Sequence, residues 1–207
     1  MKKIYVIASL AYFILTMIVG FWVPRTDFYL TVTLFTFLFS LQYVLRNMEF
    51  LWVLILGFFV RFILCFSIPA LSDDFYRFIW DGILNIKGIN PYFYKPSELI
   101  AQFPSLRFLY EDLNSPDYYS VYPSINQYIY SIGVLVGRGS LYWSTVVMKL
   151  LMLGAECVTV YAFIFLCKGL AINKQNIIWY VLNPLVVLEF CGNLHFEGFM
   201  ILSLIHI

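Results

Sequence analysis

Long apolar runs separated by short charged turns dominate the first third of the chain. Three runs follow one another, at residues 4–23, 28–45 and 50–70. Each is close to the roughly 20 residues that a helix needs to cross the hydrocarbon core of a bilayer. Charged residues make up only 12% of the chain, whereas soluble domains average about 25%. The sequence therefore predicts an all-α, polytopic transmembrane protein.

The first run predicts a retained membrane span and sets the expected orientation. Its apolar core is too long for a signal peptide, and no small-residue cleavage site is evident. Lys2 and Lys3 precede it and are expected in the cytoplasm by the positive-inside rule. Three crossings, over residues 1–70, then place residue 71 outside. Residues 71–120 hold seven of the twelve acidic residues and are expected to form an extracytoplasmic loop with amphipathic helices at the membrane surface.

Further transmembrane helices are expected in residues 121–201. Strict alternation of crossings and the positive-inside rule place His195 on opposite sides of the membrane, and the external side is preferred. The last six residues, LSLIHI, match a translation of the transposon-end adapter used in sequencing libraries. Residues 202–207 are therefore expected to be an artefact, with no function for His206; the alternative is the start of another apolar span.

A charged cluster follows the third run directly, in the sequence LSDDFYRFIWDG at residues 71–82. Charges are expensive near a bilayer, so such a cluster needs a reason. Ser72 is a suitable N-cap with acidic residues in the first turn, and Gly88 suits the C-terminal end. The spacing predicts an interfacial amphipathic helix. Its apolar face would carry Phe75, Ile79, Ile83 and Ile86, and its polar stripe Asp74, Arg77, Asp81 and Asn85.

Each charged residue of this cluster has a chemical and a structural interpretation. Asp73 and Asp74 could take a proton from an acceptor hydroxyl as general bases, or only stabilise the helix N-terminus by up to ~1 kcal/mol. Arg77 could pair with a phosphate, or it could bridge Asp74 and Asp81. Because the cluster lies where the chain leaves the membrane, a catalytic role is favoured for the aspartates. The two interpretations of Arg77 are equally supported.

A second polar group interrupts a later apolar stretch, in the sequence GNLHFEG at residues 192–198. Asn183 and Pro184 lie upstream and predict a broken or kinked helix. Irregular backbone at membrane depth is tolerated mainly beside a cavity, which favours a site containing His195 and Glu197. The alternative is a polar break satisfied by neighbouring helices. Two residues apart, His195 and Glu197 would lie on different faces of a helix.

Other polar residues within apolar segments support a different function class. Arg61, Lys149 and Glu156 could line an intramembrane pathway, so a transporter or flippase for a lipid-linked or small polar substrate is the alternative function; packing between helices is the structural interpretation. Tyrosines that could stack on sugar rings more often form an aromatic belt at the membrane interface: residues 118, 119, 122, 128 and 130. A net charge of +1 without a basic stripe excludes a nucleic-acid partner. The cysteines have no metal-ligand spacing.

Four segments together resemble bacterial membrane mannosyltransferases of the GT-C type. They are SDDFYRFIWDG, GINPYFYKPSEL, NSPDYYSVYPSINQYIY and NPLVVLEFCGNLHFEG, and the resemblance covers roughly residues 70–200. It implies a multi-span enzyme of the bacterial cytoplasmic membrane that transfers a sugar, commonly mannose, from a polyprenyl-phosphate donor. The acceptor would be an extracytoplasmic glycan or lipid. This N-terminal fragment is expected to be inactive alone.

The resemblance also implies site residues. An acidic residue of the first large external loop acts as catalytic base in such enzymes, and Asp73 or Asp74 occupies that position. Arg77, Asp81, His195 and Glu197 are the corresponding substrate-binding candidates, although the motif around His195 departs from the family pattern. Transfer would invert the anomeric carbon and release a lipid phosphate. Its charge could be met by Arg77, by a later arginine or by a divalent metal, and no cofactor beyond the lipid-linked donor is firmly implied.

Overall fold

The computed structural model describes residues 2–205, and helices form all of the regular structure there. Residue His206, to which the sequence assigns no function, lies outside this range. Seven longer helices are α1 (Lys3–Trp22), α2 (Phe28–Leu45), α3 (Phe50–Leu64), α4 (Asp74–Ile86), α5 (Ser124–Val136), α6 (Leu141–Gly169) and α7 (Glu197–Ile205). Short helical turns connect them: Pro96–Leu99, Pro104–Leu106, Arg107–Tyr110, Lys174–Ile177, Ile178–Val181, Pro184–Val186 and the π-helix Val187–Gly192.

Three of these helices are long and apolar enough to cross a membrane, namely α1, α2 and α6. The predicted fold class, an all-α transmembrane protein, is therefore confirmed. Helix α3 is shorter than the apolar run at residues 50–70, because it contains 15 residues and ends at Leu64. Pro69 lacks an amide hydrogen and disfavours helical backbone in the residue before it, so helix cannot continue through this segment.

The chain after α3 is irregular but packed against protein. Cys65, Ser67 and Pro69 are buried, whereas Phe66 and Ile68 between them are exposed. This alternation is typical of an extended segment with one face on a core. Ser67 also donates its hydroxyl to the Leu64 carbonyl at 2.9 Å.

The described residues form two compact units. The first contains residues up to Leu71 together with those from Met152 onward, and the second contains Ser72–Leu151.

A broken helix is the central feature of the first unit. The predicted interruption at Asn183 and Pro184 is confirmed: the helical turn Ile178–Val181 ends there, and Asn183 caps the next turn by accepting from the Leu185 amide at 3.0 Å. Further on, the segments Pro184–Gly192 and Glu197–Ser203 meet at 113°. The pair is therefore a broken span or a re-entrant loop.

Side chains of α1, α2 and α3 donate hydrogen bonds to carbonyl groups at this interruption; the Ile178 carbonyl also accepts from the Leu182 amide. Tyr12 donates to the Leu182 carbonyl at 2.9 Å, Gln42 to the Ile178 carbonyl at 3.3 Å, and Arg61 to the Val181 carbonyl at 2.6 Å. Buried carbonyls without partners would cost several kcal/mol each in an apolar medium. The three N-terminal helices thus hold the broken segment in place.

Arg61 also forms a buried ion pair. Its Nη2 lies 3.3 Å from Glu156 Oε2, and both side chains are almost fully buried. The Tyr180 hydroxyl donates to the other Glu156 oxygen at 2.7 Å. Arg61, Glu156 and Tyr180 bind one another, so they link the segments that carry them. They give no support to the transport pathway. Lys149, in the second unit, is also buried.

The second unit is built around the packing of α4 on α5. A Cβ atom at Gly82 would lie 2.6 Å from the Tyr130 carbonyl oxygen, so only glycine permits this approach. Phe78 stacks on Tyr130 with ring centroids 4.7 Å apart. The predicted stop of α4 at Gly88 is confirmed, and its geometry is a Schellman cap: Gly88 has a φ of +74°, and the Ile89 amide donates to the Leu84 carbonyl at 2.9 Å.

The polar stripe of α4 does not face outward, as an interfacial helix would require. Arg77 and Asp81 are 2% and 0% exposed, and Phe75 and Ile79 on the apolar face are equally buried. Ile86, expected on that apolar face, is 47% exposed. The stripe points into the protein because polar groups of α5 and of the loop before it pair with it.

Candidate functional site

A surface cavity of about 360 Å³ lies at the N-terminal end of α4. Its lining combines two charged side chains, Asp74 and Arg77, with polar and aromatic groups from the loop: Asn114, Ser115, Tyr118, Tyr119, Val121 and Tyr122. The volume is within the range of small-molecule sites. A carboxylate, a guanidinium and three tyrosines therefore converge on one space.

Asp74 is held at the entrance of this cavity by both its backbone and its side chain. Its amide donates to Ser72 Oγ at 3.3 Å. The predicted N-cap, Ser72, is one residue too early, because Asp73 occupies the N-cap position of α4. Its Oδ1 accepts a 2.6 Å hydrogen bond from Asn114 Nδ2, a residue 40 positions away. The carboxylate is half-buried. It is positioned by the fold and remains within reach of a ligand.

Asp73 has different surroundings from its neighbour. It occupies the cap position before α4 and does not line the cavity. Together with Asp112 it acts on Tyr76, whose pKa is raised mainly by desolvation, then by the charge and hydrogen bond of Asp112, and to a smaller extent by Asp73. The two adjacent acids, which the sequence does not distinguish, thus differ in what they can contact.

Arg77 forms an ion pair with Asp81 and not with Asp74. Its Nε donates to Asp81 Oδ1 at 2.8 Å, and its Nη1 donates to the carbonyls of Ser115 and Tyr118, each at 3.0 Å. Asp74 is not its partner. The third nitrogen, Nη2, is buried and has no hydrogen-bond partner within residues 2–205. Since the residue also lines the cavity, its positive charge lies beside this space.

Asp81 is the centre of a buried polar network. Besides Arg77, it accepts hydrogen bonds from Ser120 Oγ at 2.6 Å and Gln127 Nε2 at 3.0 Å. Asn85 extends the chain by donating to Gln127 Oε1 at 2.9 Å. Asp81 is fully buried, so its contacts are with these groups. Its geometry makes it the residue that positions Arg77.

The five tyrosines singled out in the sequence separate into groups. Tyr118, Tyr119 and Tyr122 line the cavity, and the first two are largely exposed. Tyr130 is fully buried against Phe78, and burial raises the pKa of its phenol. Tyr128 is 69% exposed on α5 and lines another cavity.

A second polar cluster occurs at the helix break of the first unit. His195 lies 3.7 Å from Glu189 Oε2 through its Nε2 and 3.8 Å from Glu197 Oε2 through its Nδ1. The expectation that His195 and Glu197 lie on different helix faces was wrong, because residues 194–196 are not helical. Asn193 donates to Glu189 Oε2 at 3.3 Å and accepts from the Leu71 amide at 3.2 Å.

The backbone around this cluster is unusual. Val187–Gly192 is a π-helix. This form is rare in proteins as a whole, and where it occurs it is often part of a functional site. Leu194 follows with a φ of +62°, which a side-chain-bearing residue adopts at a cost in energy. The Nε2 of His195 is buried and makes no hydrogen bond with any residue in the range 2–205.

Sequence reasoning missed three residues of these clusters. Glu189 was detectable as a lone acid inside an apolar run, which is itself a sign of function. Asn114 and Gln127 gave no local signal, because their importance depends on contacts with residues about 40 positions away. Across residues 2–205, no group of three or more His, Cys, Asp or Glu side chains is arranged to hold a metal ion.

Comparison with known families identifies a relationship over almost the whole chain. A family model described as "Alpha-(1->6)-mannopyranosyltransferase, N-terminal domain" matches residues 6–206. The match includes both the acidic motif of α4 and the polar break around His195. No curated protein and no solved structure matches the chain.

Proposed function

Because the chain belongs to the alpha-(1->6)-mannopyranosyltransferase family, whose N-terminal domain it carries, we propose that it transfers mannose from a polyprenyl-phosphate donor to an extracytoplasmic acceptor. The family makes it a mannosyl-transferring glycosyltransferase. The lipid donor, the acceptor's location and the residues that act are the proposed parts. A donor with a long lipid tail remains in the bilayer, so a membrane-embedded enzyme suits it.

One observation carries the assignment of the site: a single cavity is lined by the Asp74 carboxylate and by Arg77, whose buried Nη2 has no partner within the described chain. Glycosyl transfer from a phosphate donor needs a base for the acceptor hydroxyl and a cation for the leaving phosphate. Asp74 supplies the first, and Arg77 supplies the second through a charge-assisted hydrogen bond.

The proposed reaction is a direct displacement at the anomeric carbon. The acceptor oxygen forms a bond to C1 of mannose while the bond from C1 to the phosphate oxygen breaks. Asp74 takes the hydroxyl proton, and the polyprenyl phosphate leaves with the electron pair. Because the configuration inverts, an α-linked product requires a β-linked donor. Tyr118, Tyr119 and Tyr122 offer aromatic surfaces on which a sugar ring can pack.

The extracytoplasmic side depends on a third crossing by α3 and the segment after it. A 15-residue helix spans about 22 Å, less than the hydrocarbon core of roughly 30 Å. Residues 65–71 complete the path in this proposal. Irregular backbone at membrane depth is tolerated where it is buried in protein, and the alternating burial of Cys65, Ser67 and Pro69 supports this.

Within the first unit, His195 and Glu197 are proposed as substrate-binding residues in their own right. The support is the strained break that presents them and the Nε2 of His195, which is buried and makes no hydrogen bond with the described part of the chain. An imidazole between Glu189 and Glu197 could donate to a sugar hydroxyl or to the phosphate.

The test is mannose transfer from radiolabelled polyprenyl-phosphate mannose by the full-length enzyme in membranes. We expect Asp74→Asn to lower the rate about 10²- to 10⁴-fold, the usual contribution of a general base, with unchanged amounts of inserted protein. Asp73→Asn is the matched control and should retain most of the activity. His195→Gln should raise the donor or acceptor KM.

Full activity of Asp74→Asn would contradict the assignment of the base. A loss confined to Asp73→Asn would move that role to the neighbouring acid. Absence of mannose transfer by the wild-type enzyme, with labelled donor intact, would overturn the proposed function as a whole.

A further inference from the structure

A second cavity lies at the C-terminal end of α4. Its volume is about 600 Å³, and its side chains come from α4, the loop after it and α5: Asn85, Asn90, Tyr92, Gln127, Tyr128 and Ser131. None of its lining residues is charged. The first cavity, by contrast, contains both a carboxylate and a guanidinium. This cavity and the Asp74 cavity therefore suit different ligand chemistry.

The amide groups of this second cavity are fixed before any ligand arrives. Asn85 donates its Nδ2 to Gln127 Oε1 at 2.9 Å, and Gln127 in turn donates to the buried Asp81. Asn90 accepts from the Tyr92 amide at 2.9 Å through its Oδ1. Within residues 2–205, the hydrogen bonds of these two residues leave the Asn85 Oδ1 acceptor and the Asn90 Nδ2 donor open to solvent or a ligand. One acceptor and one donor are thus held in place.

A hydroxyl group is the ligand that such a pair fits, because it donates one hydrogen bond and accepts two. The exposed Tyr128 ring adds an apolar surface at the same cavity against which the C–H face of a sugar can pack. A charged ligand would gain nothing from a lining without charges. The chemistry points to an uncharged sugar.

The position of the cavity relates it to the Asp74 cavity. Asp74, Arg77, Asp81 and Asn85 follow one face of α4, so both cavities lie along the same side of the helix. Asp74 and Asn85 are eleven residues apart, which corresponds to about 16 Å along the axis. Asp81 lies between these two residues along the helix. A ligand that reaches both cavities is longer than one hexose.

We propose that this cavity binds an uncharged hexose of the acceptor glycan, at a distance from the hydroxyl that reacts beside Asp74. The inference rests on the proposed function, because it assigns the acceptor of that reaction as an extended glycan. Recognition of a remote hexose would let the enzyme prefer a growing chain over a single sugar.

The experiment compares two acceptors with the full-length enzyme: methyl α-mannoside and the methyl glycoside of a linear (1→6)-linked mannotriose. We expect a lower KM for the trisaccharide in the wild type. Tyr128→Ala should raise the trisaccharide KM roughly 5-fold, the effect of losing one aromatic contact of about 1 kcal/mol. The single sugar and the donor should keep their KM values.

Two variants control this measurement. Tyr128→Phe keeps the ring and should behave as the wild type. Tyr29→Ala removes a tyrosine that is 84% exposed on α2 and lines none of the cavities described above, and it should also have no effect. A trisaccharide advantage that survives Tyr128→Ala, or an equal loss in Tyr29→Ala, would overturn the proposal. A raised donor KM with an unchanged acceptor KM would overturn it as well, since the donor's sugar would then occupy the cavity.

Saturation-transfer NMR with the trisaccharide separates this site from the proposed function. If the wild type transfers no mannose but binds the trisaccharide, and Tyr128→Ala weakens that binding, the reaction assignment fails and the sugar site stands. If the wild type transfers mannose to the single sugar and does not bind the trisaccharide, the sugar site fails and the reaction stands.

Discussion

Asp73 and Asp74 are adjacent, chemically identical and differently placed. Only Asp74 lines the cavity and is oriented by Asn114. Both acids are typical of a helix N-terminus, so the local pattern does not indicate which of them is the catalytic base. The distinction arises from a residue 40 positions away, and no local rule reaches that far.

Two Arg–acid pairs of the same spacing show how strongly burial changes the role of an ion pair. Arg77 and Asp81 are 2.8 Å apart and buried, whereas Arg107 and Glu111 are 2.9 Å apart with side chains 78% and 63% exposed. Both pairs join residues four positions apart on a helix. Removing one partner leaves an uncompensated buried charge only in the first pair.

Asp81→Asn should therefore destabilise the protein by about 3–5 kcal/mol, because the Arg77 guanidinium loses its counter-charge inside the protein. Glu111→Gln, the matched surface change, should shift stability by less than about 1 kcal/mol. Denaturant unfolding of the purified protein in detergent measures both. Equal stability of the two variants would show that Asp81 does not hold Arg77 in the way described.

At the scale of elements, the contact between α4 and α5 depends on the absence of one side chain. Gly82 lies where a Cβ would meet the Tyr130 carbonyl at 2.6 Å and Val134 Cγ2 at 2.8 Å. This contact brings Gln127 to Asp81 and so completes the polar network. Gly154, in the interior of α6, has open space around it.

Gly82→Ala should destabilise the protein by about 1–3 kcal/mol, the usual cost of overpacking, because α4 and α5 must separate. The same change at Gly154 should be neutral or stabilise by up to ~1 kcal/mol, since alanine favours helix and meets no neighbour. Thermal unfolding followed by circular dichroism would compare the two variants. A tolerated Gly82→Ala would mean that the helices are not in close contact.

Local sequence signals predicted where helices end better than they predicted which face of a helix is buried. Gly88 and Pro184 mark boundaries because caps and proline act on backbone within a few residues. The burial of the polar stripe of α4 was not predictable in this way. A stripe of charges that faces water and one that faces Ser120 and Gln127 have the same periodicity. Only the partner, more than 35 positions later, distinguishes them.

At the scale of the whole molecule, the side of the membrane on which the acidic loop lies follows from how far α3 and residues 65–71 extend. The fold class was predictable, because three helices have the length and composition of membrane spans. The length of the third helix was not predictable, since apolar composition continues to residue 70 while the helix ends at Leu64.

Labelling with a membrane-impermeant thiol reagent tests the proposed orientation. In a full-length variant with Cys65, Cys157, Cys167 and Cys191 replaced, Glu111→Cys provides an exposed target in the acidic loop. We expect labelling in intact spheroplasts. A cysteine at Lys2 is the control and should react only in inside-out vesicles. The reverse pattern would place the loop in the cytoplasm.

The donors from α1, α2 and α3 to the broken helix have a consequence for biogenesis. Arg61 is synthesised 120 residues before the Val181 carbonyl to which it donates, so the donor side chains are made before the interrupted segment. The carbonyl groups of the interrupted segment can therefore find hydrogen-bond donors as soon as the segment has been made. The order of the helices along the chain thus favours an order of assembly in which the early helices stabilise the later, broken one.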